Sequence, residues 1–504
     1  MLKKDRAIVR KAATQSNRQA VINSRKQYFL LSFLLLVVTL QACRKFLDTE
    51  PPVTSQTTAN VFVSDATAAS VLTGIYADIS KSNASLIGPN GLTSLAVYTG
   101  LSADELALFL TGDIQFSPFY TNELNSLISS GLFWNELYRL IFVCNTAIEA
   151  LGAANEALTP RVRQQLLGEA LFMRALCYSY LVNLYGDVPL VTGTDYTINA
   201  TLPKTPVSEI YARLITDLQE ARELMQPGYF MSDAITPYKA GSEERVRPSS
   251  FAVAALLARI YLYAGQYENA ANAAAEVIGN TEYFDLAPLE EVFKKNSRAT
   301  IWSLQPTGSG TRANTGEGAL FILPPEGPNI FPNPFYLNPA LVTSFEPEDL
   351  RLQQWVDSVR PNGQTYFYAS KYKIGDVEAP TEEYIMVMRL AEQYLIRAEA
   401  YAKQNLITEA QQDVNAIRKR AGLTEINAGG QQAILDAILR ERRHELFLEW
   451  GHRWTDLKRT GSIDSVMNIV AAEKGGSWSA YKALYPIPQA EINTNPNLEQ
   501  NPGY

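Results

Sequence analysis

Ser250-Phe-Ala-Val-Ala-Ala-Leu-Leu-Ala-Arg-Ile-Tyr-Leu-Tyr-Ala-Gly-Gln-Tyr-Glu-Asn-Ala-Ala-Asn-Ala-Ala-Ala-Glu-Val-Ile278 is the stretch on which the fold turns. Apolar residues recur at helical spacing on both sides of Gly265-Gln266, so it reads as two helices, Ser250 to Ala264 and Tyr267 to Ile278. Ala258, Tyr261, Gly265, Tyr267 and Ala270 fall where a tetratricopeptide repeat places its small and aromatic residues. Small side chains sit where two helices approach closely, and aromatics fill the gaps where they diverge. Ala398, Tyr401, Asn405, Ile407 and Ala410 repeat that spacing 140 residues later, from Ala258 to Ala398. Such a distance is far more than one repeat length, so the array is not a simple tandem one. The fold class expected is mainly α, a tetratricopeptide-like helical-repeat scaffold interrupted by long insertions.

Further helices are expected at Ala66 to Ile79, Phe133 to Leu151, Val162 to Leu184, Val207 to Met225, Glu383 to Lys403, Ile407 to Arg420 and Gln431 to Arg459. Two insertions stand out. Ser82 to Asn125 carries Tyr98, Phe109, Phe116, Phe119 and Tyr120 among glycine and proline, and Gln305 to Pro339 ends in Asn329-Ile-Phe-Pro-Asn-Pro-Phe-Tyr336. A long irregular segment inside a compact domain is usually a binding loop or disordered. Its aromatics either offer flat platforms to a ligand or plug the loop onto the helical core.

The N-terminus reads as a secretion signal. Eight Lys or Arg and one acid precede Tyr28, and the apolar run Tyr28 to Leu40 leads into Gln41-Ala42-Cys43. The run is short of the ~20 apolar residues that span a bilayer, and a small residue directly before a cysteine marks lipoprotein processing. The expectation is therefore a signal peptide over residues 1–42, a lipidated Cys43, a Pro- and Thr-rich tether over 43–58, and two parts of the globular chain, 59–340 and 341–504. Without the leader, 36 Lys plus Arg face 51 Asp plus Glu, a balance near −15. Nucleic acid and anionic lipid both need a dense basic face, so neither is a fitting partner. Only Cys144 and Cys177 remain, both within apolar helical stretches, and two buried free thiols are expected.

Enzyme constellations fail on inspection, and no cofactor is expected. His444-Glu445 opens like a zinc-protease helix, but the position four residues on is Leu448. Glu441, Glu445 and Glu449 alternate with Arg442, Arg443 and Arg453, which suits an ion-pair lattice. Carboxylates neutralised by guanidinium groups are poor general acids. Gly308-Ser-Gly310 follows the strand-like Thr300 to Leu304, but no helix is expected after it, so a phosphate site is not built.

Four segments, in order, carry a family resemblance. They are Cys43 to Pro52; Gly168-Glu-Ala-Leu-Phe-Met-Arg-Ala-Leu-Cys-Tyr-Ser-Tyr-Leu-Val-Asn-Leu-Tyr-Gly-Asp-Val-Pro-Leu190; Glu441-Arg-Arg-His-Glu-Leu446 with Gly451, Arg453, Asp456 and Leu457; and Leu484 to Gly503. On these the chain resembles the SusD/RagB family of outer-membrane lipoproteins. The resemblance implies helix pairs on one side, a loop-rich ligand face on the other, and a SusC-like TonB-dependent transporter as partner. It also implies a lipid-anchored place at the outer membrane and a ligand that is an oligosaccharide or, in some relatives, a peptide. The ligand loops of relatives correspond roughly to the two insertions here. Local candidates are Phe116, Phe119 and Tyr120 from the first and Phe331, Phe335 and Tyr336 from the second, with Asp113, Asn122 and Asn333 to hydrogen-bond hydroxyls. A glycoside hydrolase is the competing class, for which no unpaired carboxylate couple presents itself.

Overall fold

The computed structural model describes residues 61–83, 94–127, 131–153, 156–307 and 313–504. The signal peptide, Cys43 and the tether lie outside the described residues. In chain order the elements are α1 (Asp65–Asn83), α2 (Leu95–Ser102), β1 (Leu106–Leu108), α3 (Gly131–Gly152), α4 (Pro160–Tyr185), α5 (Val207–Leu224), α6 (Ser250–Tyr263) and α7 (Tyr267–Gly279). Then follow β2 (Thr300–Leu304), α8 (Gly316–Phe321), β3 (Phe335–Leu337), β4 (Val356–Val359), β5 (Tyr366–Ala369) and β6 (Ile385–Arg389). The chain closes with α9 (Leu390–Lys403), α10 (Ile407–Arg420), α11 (Gln431–Glu445), α12 (His452–Arg459) and α13 (Ile463–Glu473). Shorter turns of helix connect them.

The helices stack in sequence, α3 on α4, α4 on α5, α5 on α6 and α6 on α7. There the chain leaves for its insertions, and it returns so that α9 packs directly on α7 and continues through α10 and α11. The two repeat pairs are thus neighbours in space although far apart in sequence. Each stacked unit buries a face that it could not bury alone. Ala258, Ala270, Ala398 and Ala410 have no exposed surface, as close helix approach demands. Gly265 and Asn405 occupy the same turn in the two copies, both left-handed, at φ 73° and 63°. Gln266 N–H donates to Tyr261 O at 2.8 Å and Leu406 N–H to Tyr401 O at 2.9 Å, one helix-ending bond made twice. A buried bidentate pair, Arg259 Nε and Nη2 with the Glu392 carboxylate, both at 2.7 Å, ties α6 to α9 across the junction. Cys144 and Cys177 are buried and free.

Three expectations change. Glu383 to Lys403 is not one helix. Ile385-Met-Val-Met-Arg389 is β6, which pairs antiparallel with β2, and the helix begins only at Leu390. A wholly buried run of four apolar residues, Ile385 to Met388, suits a strand as well as a helix, and the pairing partner decides. Gln431 to Arg459 breaks after Glu445, where Leu448, Trp450 and Gly451 all take positive φ before α12 resumes. A helix does follow the glycine-rich stretch. Thr315 Oγ1 accepts from Gly318 N–H at 3.2 Å and opens α8. Gly318 is required there, because a Cβ would lie 2.3 Å from Ile374 O.

Candidate functional site

The two insertions are stitched into one surface by a small antiparallel pairing. β1 runs against β3 in the register Leu106↔Leu337, Ala107↔Tyr336 and Leu108↔Phe335. Phe109 N–H donates to Pro334 O and Asn338 N–H to Glu105 O, each at 2.9 Å, and these extend the ladder at both ends. Side chains alternate across a strand, so Phe335 and Leu337 point into the core and Tyr336 points out.

A third segment completes the face. β4 and β5 form a hairpin around Pro361-Asn-Gly363, with Asn362 at φ 51° and Gly363 at φ 83° in the left-handed region. It delivers Tyr366 edge-on to Tyr336, ring centroids 5.1 Å apart at 83°, and to Phe109 at 6.1 Å and 77°. Tyr120 is half-buried, with the Lys474 ammonium 5.2 Å from its ring centroid. Burial, then the charge that an ionised Tyr336 would carry, raise the Tyr120 phenol above its ordinary value. Burial and Tyr366 do the same for Tyr336. Both hydroxyls stay protonated at neutral pH and can donate as well as accept. Beyond these rings Ile330 and Phe331 stand 74% and 66% exposed, and Ile114 is exposed as well.

Of the six aromatic candidates, three keep accessible surface and three do not. Phe116, Phe119 and Phe335 are only 4%, 2% and 0% exposed. Phe116 packs on Phe335 with centroids 4.8 Å apart, Tyr98 meets Phe119 at 4.6 Å, and Phe119 meets Tyr485 at 5.6 Å. A ring enclosed by other rings offers no face to a ligand, so these three form the layer that supports the site. Tyr120, Phe331 and Tyr336 keep accessible surface. Asn122 and Asn333 are also structural. The Asn122 amide donates to Ser102 O at 3.0 Å, and Asn333 Nδ2 donates to Ala319 O and Leu320 O at 2.9 and 2.8 Å. Asp113 is exposed but accepts from Gln115 N–H and Phe116 N–H, capping its own turn. Phe109 and Tyr366 stand outside the six sequence candidates, although the Asn-Gly turn between two alternating runs is a readable hairpin signal.

The site rests on a charged clamp. Asp104, between α2 and β1, accepts from Arg453 Nε at 2.7 Å and Arg443 Nη2 at 2.8 Å. Lys474 Nζ donates to Leu101 O at 2.6 Å and also to Ala103 O. Burial alone would raise the Asp104 carboxyl, but Arg453, with Arg443 and Lys474, holds it at about 2. The neighbouring Glu105 is pushed up to about 7 by burial and by the charge of Asp104.

The acid-and-base run of α11 and α12 is a buried lattice. Arg389 joins Glu445 at 2.9 Å and Glu449 at 2.7 Å, while Arg351 and Arg420 also meet Glu445 and Lys371 meets Glu449. Burial works against the Glu445 charge, yet three guanidinium groups hold its carboxyl far below the usual range. It has no proton to give. His444 stacks on Phe345 at 4.3 Å, and burial with the surrounding arginines lowers it to about 3. Among the described residues no three His, Cys, Asp or Glu side chains gather as a metal site. No helix among them is long and apolar enough to cross a membrane.

Comparison with known proteins agrees on one kinship. A family model described as the SusD family matches residues 357–504. Another, described as starch-binding associating with outer membrane, matches residues 45–262. A SusD-like protein of Formosa agariphila is 28% identical over 94% of this chain and 99% of its own length. A SusD superfamily protein from Bacteroides thetaiotaomicron, solved by crystallography, superposes with a TM-score of 0.72 over 87% of this chain and 100% of that one, at 24% identity. A solved structure described as a laminarin binding SusD-like protein gives 0.69 over 87% and 99%, at 22% identity, a likeness of fold.

Proposed function

The chain belongs to the SusD/RagB family, and from that premise we propose that it binds oligosaccharides at the cell surface and passes them to a SusC-like TonB-dependent transporter. The observation that carries this reading is the aromatic face itself. The β1–β3 pairing and the β4–β5 hairpin bring Phe109, Tyr120, Tyr336 and Tyr366 together, and Phe331 is exposed on the segment that leads into β3. The C–H surface of a sugar ring is apolar and packs on an aromatic face, while its hydroxyls need partners that both donate and accept. Protonated tyrosines supply both. An open face with several rings suits a chain of sugars better than one enclosed small molecule.

Capture without chemistry fits the same residues. The family and its structural neighbours are described by binding and not by a reaction, and the carboxylates of α11 and α12 are neutralised by cations. Lipidation of Cys43 would hold the protein at the outer membrane, with the helical scaffold meeting the transporter. Isothermal titration against a panel of neutral oligosaccharides and a matched panel of peptides tests the reading. Saccharide binding weakened by Phe331→Ala and Tyr366→Ala supports it; binding of peptides alone would overturn it.

A further inference from the structure

A cleft of about 590 Å³ lies between α1, the finger formed by residues 229–238 and the end of β2, and it shares no residue with the aromatic face. The finger is a short hairpin closed by Met231 N–H to Thr236 O at 2.8 Å and Tyr238 N–H to Tyr229 O at 3.0 Å. Tyr76, Phe230, Met231, Tyr238 and Pro306 supply apolar walls, and Thr73, Glu244 and Arg247 supply polar groups. A second recess, about 630 Å³, continues along α1 and shares Thr73, Ala77 and Ser232 with the first. The α1 residues under the combined groove include Ala66, Ala69, Ser70, Gly74 and Ala77, whose small side chains leave its floor open. Volume, aromatic walls and few polar groups are the attributes of a binding cleft.

Charge narrows the ligand. Among the described residues Arg247 is the only Arg or Lys lining the cleft, and it is committed to the buried Glu169, to Thr73 Oγ1 at 3.1 Å and to Ser232 O at 3.2 Å. The acids are nearer the rim. Glu244 is half-buried with one oxygen accepting from Tyr384 Oη at 3.3 Å, and Asp65 and Asp233 line the recess. Asp65 accepts from Thr159 N–H at 2.8 Å and Asp233 from Thr236 N–H at 2.9 Å, backbone donors that bring no countercharge. An anionic ligand entering this groove meets three carboxylates and a cation already spoken for. An uncharged polyol meets acceptors for its hydroxyls and rings for its C–H faces.

We propose that this groove is a second saccharide site, separate from the aromatic face, which takes an uncharged sugar segment and rejects uronic or sulfated ones. It rests on the reading of the protein as a glycan binder. The two sites together would grip one long neutral glycan at two places, or two chains at once.

Hydrogen–deuterium exchange of the whole protein tests the proposal. The probes are neutral hexaoses of several linkages (malto-, laminari-, cello-, manno- and xylo-) and an oligogalacturonide of the same length. A neutral probe is expected to protect residues 65–83 and 230–238, and the oligogalacturonide to leave them unprotected. Ala77→Trp fills the shared part of the groove from a half-exposed helical position and should weaken that protection about tenfold. It should leave any protection of 106–120 and 330–337 unchanged. Glu244→Gln, which keeps the shape, should narrow the discrimination against the oligogalacturonide. Protection of the groove without the aromatic face would sink the reading of that face and leave this inference standing. No protection of 230–238 by any neutral probe, equal protection by the acidic one, or indifference to Ala77→Trp overturns it.

Discussion

Replacing Asp104 by asparagine tests whether the aromatic face depends on the charged clamp beneath it. The carboxylate is 4% exposed and joins Arg453 and Arg443, which belong to α12 and α11, to the turn between α2 and β1. Its pKa falls from 3.8 to about 2. A shift of that size corresponds to roughly 2.5 kcal/mol of folding stability at neutral pH. Because the folded value is the depressed one, this stability is present in full above pH 4. It drains away as the pH falls toward 2. Removing the anion also strands two guanidinium groups that are mostly buried, and breaking such a pair costs about 3–5 kcal/mol. Urea denaturation followed by circular dichroism should therefore place the variant about 3 kcal/mol below the parent at pH 7. The gap should close as both are taken from pH 4 to pH 2. Saccharide affinity should fall alongside, because β1 sets the register of β3. A gap under about 1 kcal/mol at pH 7, or one that acid leaves unchanged, would refute the clamp.

Glu317 should behave in the opposite sense. Burial and the charge of Glu449 raise its carboxyl to about 8, so it folds protonated and costs stability as the pH climbs from 4.5 to 8. Glu317→Gln should stabilise the protein by roughly 3 kcal/mol at pH 7 and flatten the stability profile over that window, read by thermal melts at successive pH values. Phe331→Ala should weaken saccharide binding about fivefold to tenfold by titration while leaving the melting temperature unchanged, because the ring is mostly exposed. Tyr366→Ala should cost a similar factor in affinity. Ala398→Leu, at a fully buried helix contact, should cost about 1–3 kcal/mol in urea denaturation without changing saccharide contacts.

The sequence by itself determined the scaffold. Helix periodicity, small residues at close contacts and a Gly or Asn at the turn are local requirements, and Gly265 and Asn405 meet them in the same way in both copies. The acid-and-base lattice was legible for the same reason, since Glu441, Glu445 and Glu449 recur every four residues, the first two one turn apart on α11 and the third in the turn just beyond it. Only the tertiary structure decided which loop aromatics are accessible. Phe116, Phe119 and Phe335 look like Tyr336 and Phe331 in composition, yet the first three are enclosed and the last two are not. What separates them is a pairing between residues more than two hundred positions apart, Leu106 with Leu337, together with a ring from a third segment, Tyr366. The same holds for Ile385 to Arg389, whose apolar run became a strand because Thr300 to Leu304 was there to pair with it. Hydrophobicity belongs to a residue and can be read one position at a time. Exposure belongs to its neighbours, and those are chosen only when distant parts of the chain meet.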